Sequence, residues 1–192
     1  MLMGKAECED DAQPFPQKPH ASYLPDTPYQ PFYPSEKLPW VKEVEATMDA
    51  IDAEFTAFLV SRTQAFAPYI HGGLELPGQT PETLKDHDNW TAAVLVRDGV
   101  EDPEWSTDCP TVSALMDTLP LTAIKGLSPS VLFSKLKPGA RVIPQTGLLN
   151  CRLVCHVPLV VPAGCGQRVG DERSDVVRGE VWAFDDSINH EA

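Results

Sequence analysis

His156 and His190 are the two side chains of this sequence whose type and placement most invite metal chemistry. Both lie on or beside short β-rich runs, with Arg152 and a carboxylate-rich loop close in sequence. Asp185, Asp186 and Glu191 can each add an oxygen donor. Two imidazoles and one carboxylate, with coordination positions left open, form the donor set of many non-haem iron sites. The plain structural roles stand beside that reading. A histidine on a strand is usually satisfied by a neighbour, and acidic residues at a turn cap it or orient the histidine from outside the coordination sphere. Spacing does not choose among the three carboxylates.

For these groups to converge, strands must carry them. From Val131 to Ala192, β-rich runs alternate with Pro/Gly turns, a spacing that predicts a sandwich or barrel rather than a βαβ fold. Expected strands are Val131–Leu136, Cys151–Val161, Gly166–Val169 and Gly179–Phe184, with Asp185-Asp186-Ser187 as the loop that delivers His190. Alternate residues of a strand share a face. Arg152, Val154, His156, Pro158 and Val160 are therefore expected to face a cavity shared with His190. Cys151, Leu153, Cys155, Val157, Leu159 and Val161 are expected in the core.

Upstream, Val41, Val44, Met48, Ile51, Phe55, Phe58 and Leu59 step by threes and fours, which predicts a helix of about five turns packed outside the β-structure. Trp90–Val96 reads as a strand closed by Arg97-Asp98-Gly99. Thr111–Leu119 reads as a short helix after Pro110, and 71–89 as loop. Residues 1–39 hold eight of the nineteen prolines, so they are expected as an extended arm whose first dozen residues are disordered. The domain proper is then 40–192.

The chain has 192 residues, 42% of them hydrophobic, enough for a core of ordinary size. Its net charge of −13 lacks the clustered Lys and Arg that nucleic acid or an anionic membrane would need, so neither is an expected partner. No apolar run reaches the roughly 18–20 residues of a spanning helix. The acidic start MLMGKAECEDD is unlike a signal peptide. The expectation is a cytoplasmic protein. Five dispersed cysteines fit buried, reduced thiols better than disulfides or zinc ligation. Nothing in the sequence sets an oligomeric state.

The run FSKLKPGARVIPQTGLLNCRLVCHVPLVVPAGCGQRVG, followed by GEVWAFDDSINHEA, resembles the aspartyl/asparaginyl β-hydroxylase family of iron(II)- and 2-oxoglutarate-dependent dioxygenases. The family words are approximately S-x-L-x-P-G-x-x-I-x-P-H-x-G, N-x-R-L-R-x-H-x-P-L, G-x-R-V-G and F-D-D-S-F-x-H-E, and they occur here in the same order. Trp40-Val41, Trp90 and Cys109-Pro110-Thr111 sit where the family has similar features. The resemblance implies an α+β fold, a distorted double-stranded β-helix (jelly-roll, cupin-like) with N-terminal helices packed outside.

It also implies Fe(II) with 2-oxoglutarate as cosubstrate, and hydroxylation of an unactivated C–H bond of an aspartyl/asparaginyl peptide or a small-molecule acid. Residue by residue, it makes His190 the distal iron ligand and Gln145 the occupant of the first ligand position, where the family has histidine. Trp90, Ser134 and His156 fall where the family contacts 2-oxoglutarate, and Arg152 accompanies them. Val154 replaces a family arginine. The sequence stops at Ala192, before the strand whose arginine holds the far carboxylate of the cosubstrate. These departures imply weak iron binding, and they define the alternative of a non-catalytic relative, pseudoenzyme or truncated product, acting as a binding module.

Overall fold

The computed structural model describes residues 16–69 and 89–192. The expectations for the first dozen residues, for Cys8 and for most of the 71–89 loop lie outside them. In chain order the elements are β1 (Phe32–Tyr33), α1 (Val41–Ala46), α2 (Met48–Ser61), β2 (Ala67–Pro68), β3 (Trp90–Arg97) and β4 (Val100–Glu101). There follow α3 (Trp105–Asp108), α4 (Pro110–Thr118), β5 (Val131–Leu136), β6 (Val154–His156), β7 (Gly166–Val169), β8 (Glu172–Asp175), β9 (Trp182–Phe184) and β10 (His190–Glu191). Two compact units result: Ala46–Arg141 makes one, and the chain up to Glu45 joins Val142–Ala192 in the other. The proline-rich arm, from residue 16 on, thus belongs with the C-terminal strands.

The apolar stripe after Trp40 forms helix in two pieces rather than one. Thr47, at φ −101° and ψ 6°, leaves helical geometry between α1 and α2. A β-branched residue holds the ladder less well than its neighbours do. The stripe itself runs through the break: Val41, Val44, Met48, Ile51, Phe55 and Phe58 are all buried.

In the Ala46–Arg141 unit, α2 sets Phe55 and Phe58 against Phe133 of β5, with ring centroids 5.0 and 5.3 Å apart. Strand β5 pairs antiparallel with β3 from Trp90↔Leu136 to Val96↔Val131, with an irregularity between Val94 and Val96. Such a slip changes which side chains face the core, and accordingly Ala92, Ala93, Leu95 and Val96 are all buried. Asp98 (φ 53°) and Gly99 (φ 83°) make the turn into β4, the pair of positive φ values that a two-residue hairpin of this twist requires. Pro110 opens α4, and the Glu54 carboxylate accepts from the backbone N–H of Thr111 (2.7 Å) and Val112 (3.3 Å). Donors that a helix start leaves unsatisfied are thereby engaged.

The other unit holds two antiparallel three-stranded sheets, in orders β1-β9-β6 and β10-β7-β8. Val169, Phe184 and Ile188 form its core, with Tyr29, Phe32, Val154 and Trp182 packed around them. The long strand expected over Cys151–Val161 shrinks to Val154–His156. Pro158 and Pro162 cannot donate to a ladder, and Arg152 is drawn instead to Asp186.

The expected faces are corrected as well. Val154 packs on the core while Cys155 is exposed, and Leu153, Val157 and Cys151 are only partly buried. Strand β6 lies at the edge of its sheet. The cysteines divide accordingly: Cys109 is buried, its thiol pushed up to about 11 by burial, whereas Cys155 and Cys165 are exposed.

Candidate functional site

Gln145 and His190 face each other across an antiparallel bridge. Each backbone N–H donates to the other's carbonyl at 2.9 Å. Residues directly opposite in such a pair project their side chains from the same face, with β-carbons about 5 Å apart. Position 145 is therefore where a side chain can share a ligand with His190. His190 is 7% exposed, and its Nδ1 lies 2.9 Å from the Ile188 carbonyl oxygen. A carbonyl only accepts, so Nδ1 carries the proton and Nε2 keeps its lone pair. Metal-binding imidazoles are commonly prepared in this way. Burial lowers the His190 pKa, and the Arg168 charge acts in the same direction.

The three candidate carboxylates are each engaged by protein groups. Asp185, 1% exposed, receives Ser187 N–H (2.9 Å) and Ser187 Oγ (2.5 Å) on one oxygen and Gln17 Nε2 (2.5 Å) on the other. It is the turn cap that its position after β9 suggested. Asp186 accepts from Arg152 NH2 at 3.1 Å; burial raises its pKa, and Arg152 works against that rise. A β-carbon at position 147 would collide with the Asp186 carboxylate, so Gly147 of the P-Q-T-G word is what admits Asp186 there. Glu191 accepts from Arg168 Nε at 2.6 Å.

His156 lies on β6 opposite Trp182. Its ring centroid is 4.7 Å from Trp182 and 5.3 Å from Phe184, and Phe184 in turn is 5.2 Å from His190. Burial first, then His190, holds the His156 pKa down to about 4. The imidazole is neutral at physiological pH. In the same unit, Arg152 Nε, Asp186 Oδ1 and Trp182 Nε1 are buried polar atoms without a hydrogen-bond partner among the described residues. Such atoms are uncommon and invite a polar ligand or water.

Gln145, Arg152, His156 and His190 thus belong to one unit. Trp90 and Ser134 belong to the other, where Trp90 Nε1 donates to Ser134 Oγ at 2.9 Å and the Tyr69 ring lies 4.4 Å from Trp90. Three supporting residues escaped the sequence reading: Gln17, Asn150 and Arg168. The last two stand inside the N-x-R-L and G-x-R-V-G words, so the motifs contained them without declaring their role. Gln17 carries no such signal. Arg168 donates to Gly170 O (2.6 Å), Asn189 O (3.3 Å), Asn189 Oδ1 (2.8 Å) and Glu191, holding both sequence neighbours of His190.

The donor chemistry fits iron(II) as a two-point hold. His190 Nε2 would offer the imidazole that iron favours, and the Gln145 carboxamide would offer a neutral oxygen, a weaker donor. Among the described residues no group of three or more His, Cys, Asp or Glu converges to hold a metal.

Comparison with known proteins bears on this constellation. The family model described as aspartyl/asparaginyl beta-hydroxylase matches residues 45–192. Aspartate beta-hydroxylase domain-containing protein 2 of Rattus norvegicus is 29% identical over 180 residues, covering 93% of this chain and 50% of that protein. Human aspartyl/asparaginyl beta-hydroxylase is 34% identical over 122 residues, 62% of this chain and 15% of its own length. An ornithine lipid ester-linked acyl 2-hydroxylase of Rhizobium tropici is 26% identical over 170 residues, 84% of this chain and 54% of that protein. The chain spans about half the length of the first of these relatives.

Proposed function

The chain belongs to the aspartyl/asparaginyl β-hydroxylase family, and on that premise we propose that it forms the hydroxylase domain of an iron(II)- and 2-oxoglutarate-dependent dioxygenase with a weakened metal hold. The observation that carries this reading is the bridge that sets Gln145 directly against His190. When bound, iron(II) with 2-oxoglutarate and O2 supplies the oxidising power for an unactivated C–H bond. His190 contributes Nε2 and Gln145 its carboxamide oxygen. Arg152 and His156 are the cosubstrate contacts of this unit, and the family resemblance assigns Trp90 and Ser134 the same role. Neutral His156 offers one N–H donor and one lone pair rather than a charge, and the Arg152 guanidinium, set against Asp186, offers a cation to a carboxylate.

The substrate proposed is an aspartyl/asparaginyl peptide or a small-molecule acid. The human relative is named for aspartyl/asparaginyl hydroxylation and the rhizobial one for hydroxylation of an ester-linked lipid acyl chain, so substrate class varies among the relatives. A double-stranded β-helix and a cytoplasmic setting away from nucleic acid and membrane complete the proposal. No helix among the described residues is long and apolar enough to cross a membrane.

A second reading, a binding module without turnover, is favoured by the amide at 145 and by Val154 in place of arginine. Anaerobic iron(II) titration followed by succinate release separates the two. Gln145→His should tighten iron(II) binding by about tenfold or more. Weak but measurable succinate release by the unaltered chain, increased in that variant, is the expected result. Iron binding without succinate release in either protein would leave the binding-module reading standing.

A further inference from the structure

Gln17, from the proline-rich arm, is 1% exposed, and its carboxamide bonds two other buried side chains, with Nε2 also 3.4 Å from the Pro28 carbonyl oxygen. Nε2 donates to Asp185 Oδ2 at 2.5 Å, and Oε1 accepts from Asn150 Nδ2 at 2.9 Å. Asp185 and Asn150 are 1% and 2% exposed. Their places in the chain are matched. Asn150 lies five residues after Gln145 (150 − 145), and Asp185 five residues before His190 (190 − 185). In an antiparallel pairing those two positions lie opposite each other, yet the two segments form no continuous ladder between the bridge and this point. The backbone contact recorded between them is Gly147 N–H to Asp186 O, at 2.5 Å. Gln17 therefore takes the place of a cross-strand bond at the far end of the two segments that bring 145 and 190 together.

The rest of the arm reinforces both segments. His20 N–H donates to Gly147 O at 3.0 Å and Ala21 N–H to Leu148 O at 3.0 Å, while Thr146 Oγ1 donates to Lys18 O at 2.9 Å. Asn150 exchanges bonds with Leu24, receiving its N–H at 2.8 Å and donating to its carbonyl at 2.9 Å. On the other side Lys18 N–H donates to Ser187 O at 2.8 Å, and Asp185 N–H to Pro31 O at 3.1 Å. A buried amide that bonds a carboxylate and a second amide is costly to remove, because Asp185 Oδ2 then loses its Gln17 donor and Asn150 Nδ2 keeps only the Leu24 carbonyl in a low-dielectric interior.

We infer that Gln17 is a positioning residue for the Gln145–His190 pair, acting through Asp185 and Asn150, so that the arm is a working part of the site. The functional meaning rests on 145 and 190 being the metal positions; the structural claim does not.

The test is residue-resolved amide hydrogen exchange on the full chain without metal, with the β3–β5 amides as reference. Gln17→Leu and Gln17→Glu should each speed exchange at the Gln145 and His190 amides by about tenfold or more, with β3–β5 unchanged. Gln17→Glu sets a carboxylate against Asp185. Adding Asp185→Asn reverses donor and acceptor at that contact while leaving an oxygen for Ser187, so the double variant should regain slow exchange at both amides. Unchanged exchange at 145 and 190 in the single variants would overturn the inference, and so would equal acceleration in β3–β5 or failure of the double variant to recover. Iron(II) titration of the same proteins reads the metal assignment separately: absence of binding in all of them removes that assignment and leaves the exchange result to decide the role of Gln17.

Discussion

At the scale of residues, His156 shows how burial sets chemistry. Its ring is packed between Trp182 and Phe184 and near His190, and its pKa falls from an ordinary 6.5 to about 4. Above pH 6.5 the folded and unfolded chains both hold it neutral, and it adds no pH dependence. As pH falls through 6.5 the unfolded chain takes up a proton that the folded chain refuses until about pH 4. Stability is therefore lost over that window, by about 3 kcal/mol in total from this group. Asp185 and Asp186, whose pKa values burial raises, contribute in the opposite sense as pH falls. A difference measurement removes them. Urea denaturation of the unaltered chain and His156→Leu between pH 7 and pH 4 should show the unaltered chain losing about 3 kcal/mol more than the variant. Parallel curves would mean that the imidazole remains solvated.

At the scale of elements, β10 is only two residues long, and His190 is held in place by what surrounds it. Strand β7 supplies the register, His190↔Val169, and Arg168 ties down Asn189 and Glu191. Gly170, at φ 60°, leads the turn into β8 and receives one of the Arg168 bonds. Arg168→Met removes a largely buried charge-assisted cluster and should cost about 2 kcal/mol in chemical denaturation. Arg168→Lys keeps the charge but not the fork, and should recover less than half of that. Equal stability of all three proteins would show the cluster to be dispensable.

At the scale of the whole molecule, 28 acidic against 15 basic residues leave a net charge of −13. Two salt effects oppose each other. Screening weakens exposed pairs such as Arg62–Glu104, with side chains 36% and 68% exposed, but such pairs contribute only about 0–1 kcal/mol each. Screening also relieves the repulsion among the excess carboxylates, and with this charge imbalance that term dominates. Raising NaCl from 0.01 to 0.15 M should stabilise the fold by on the order of 1 kcal/mol, seen as a rise of about 2–4 °C in Tm. A falling Tm would show that local ion pairs outweigh net repulsion.

Local periodicity and local words sufficed for much of this chain. The three-four stepping from Val41 to Phe58 marked the buried helical stripe, and the run Val131–Leu136 marked β5 to the residue. The F-D-D-S-x-x-H-E word marked the segment carrying Asp185, Asp186 and His190. These are properties that a few neighbouring residues encode, because helix and strand repeat over 3.6 and 2 residues. Tertiary structure alone decided which side of Val154–His156 is interior. Alternation assigns two faces but not the neighbours on each, and here Phe184 and Trp182 of β9, opposite Val154 and His156 in register, pack beside them on one face. It alone opposed Gln145 to His190, and it alone carried Gln17 across 168 residues to Asp185. A hydrogen bond between segments so distant leaves no periodic trace in either. It exists only once the chain has closed on itself and the buried carboxylate must find a donor.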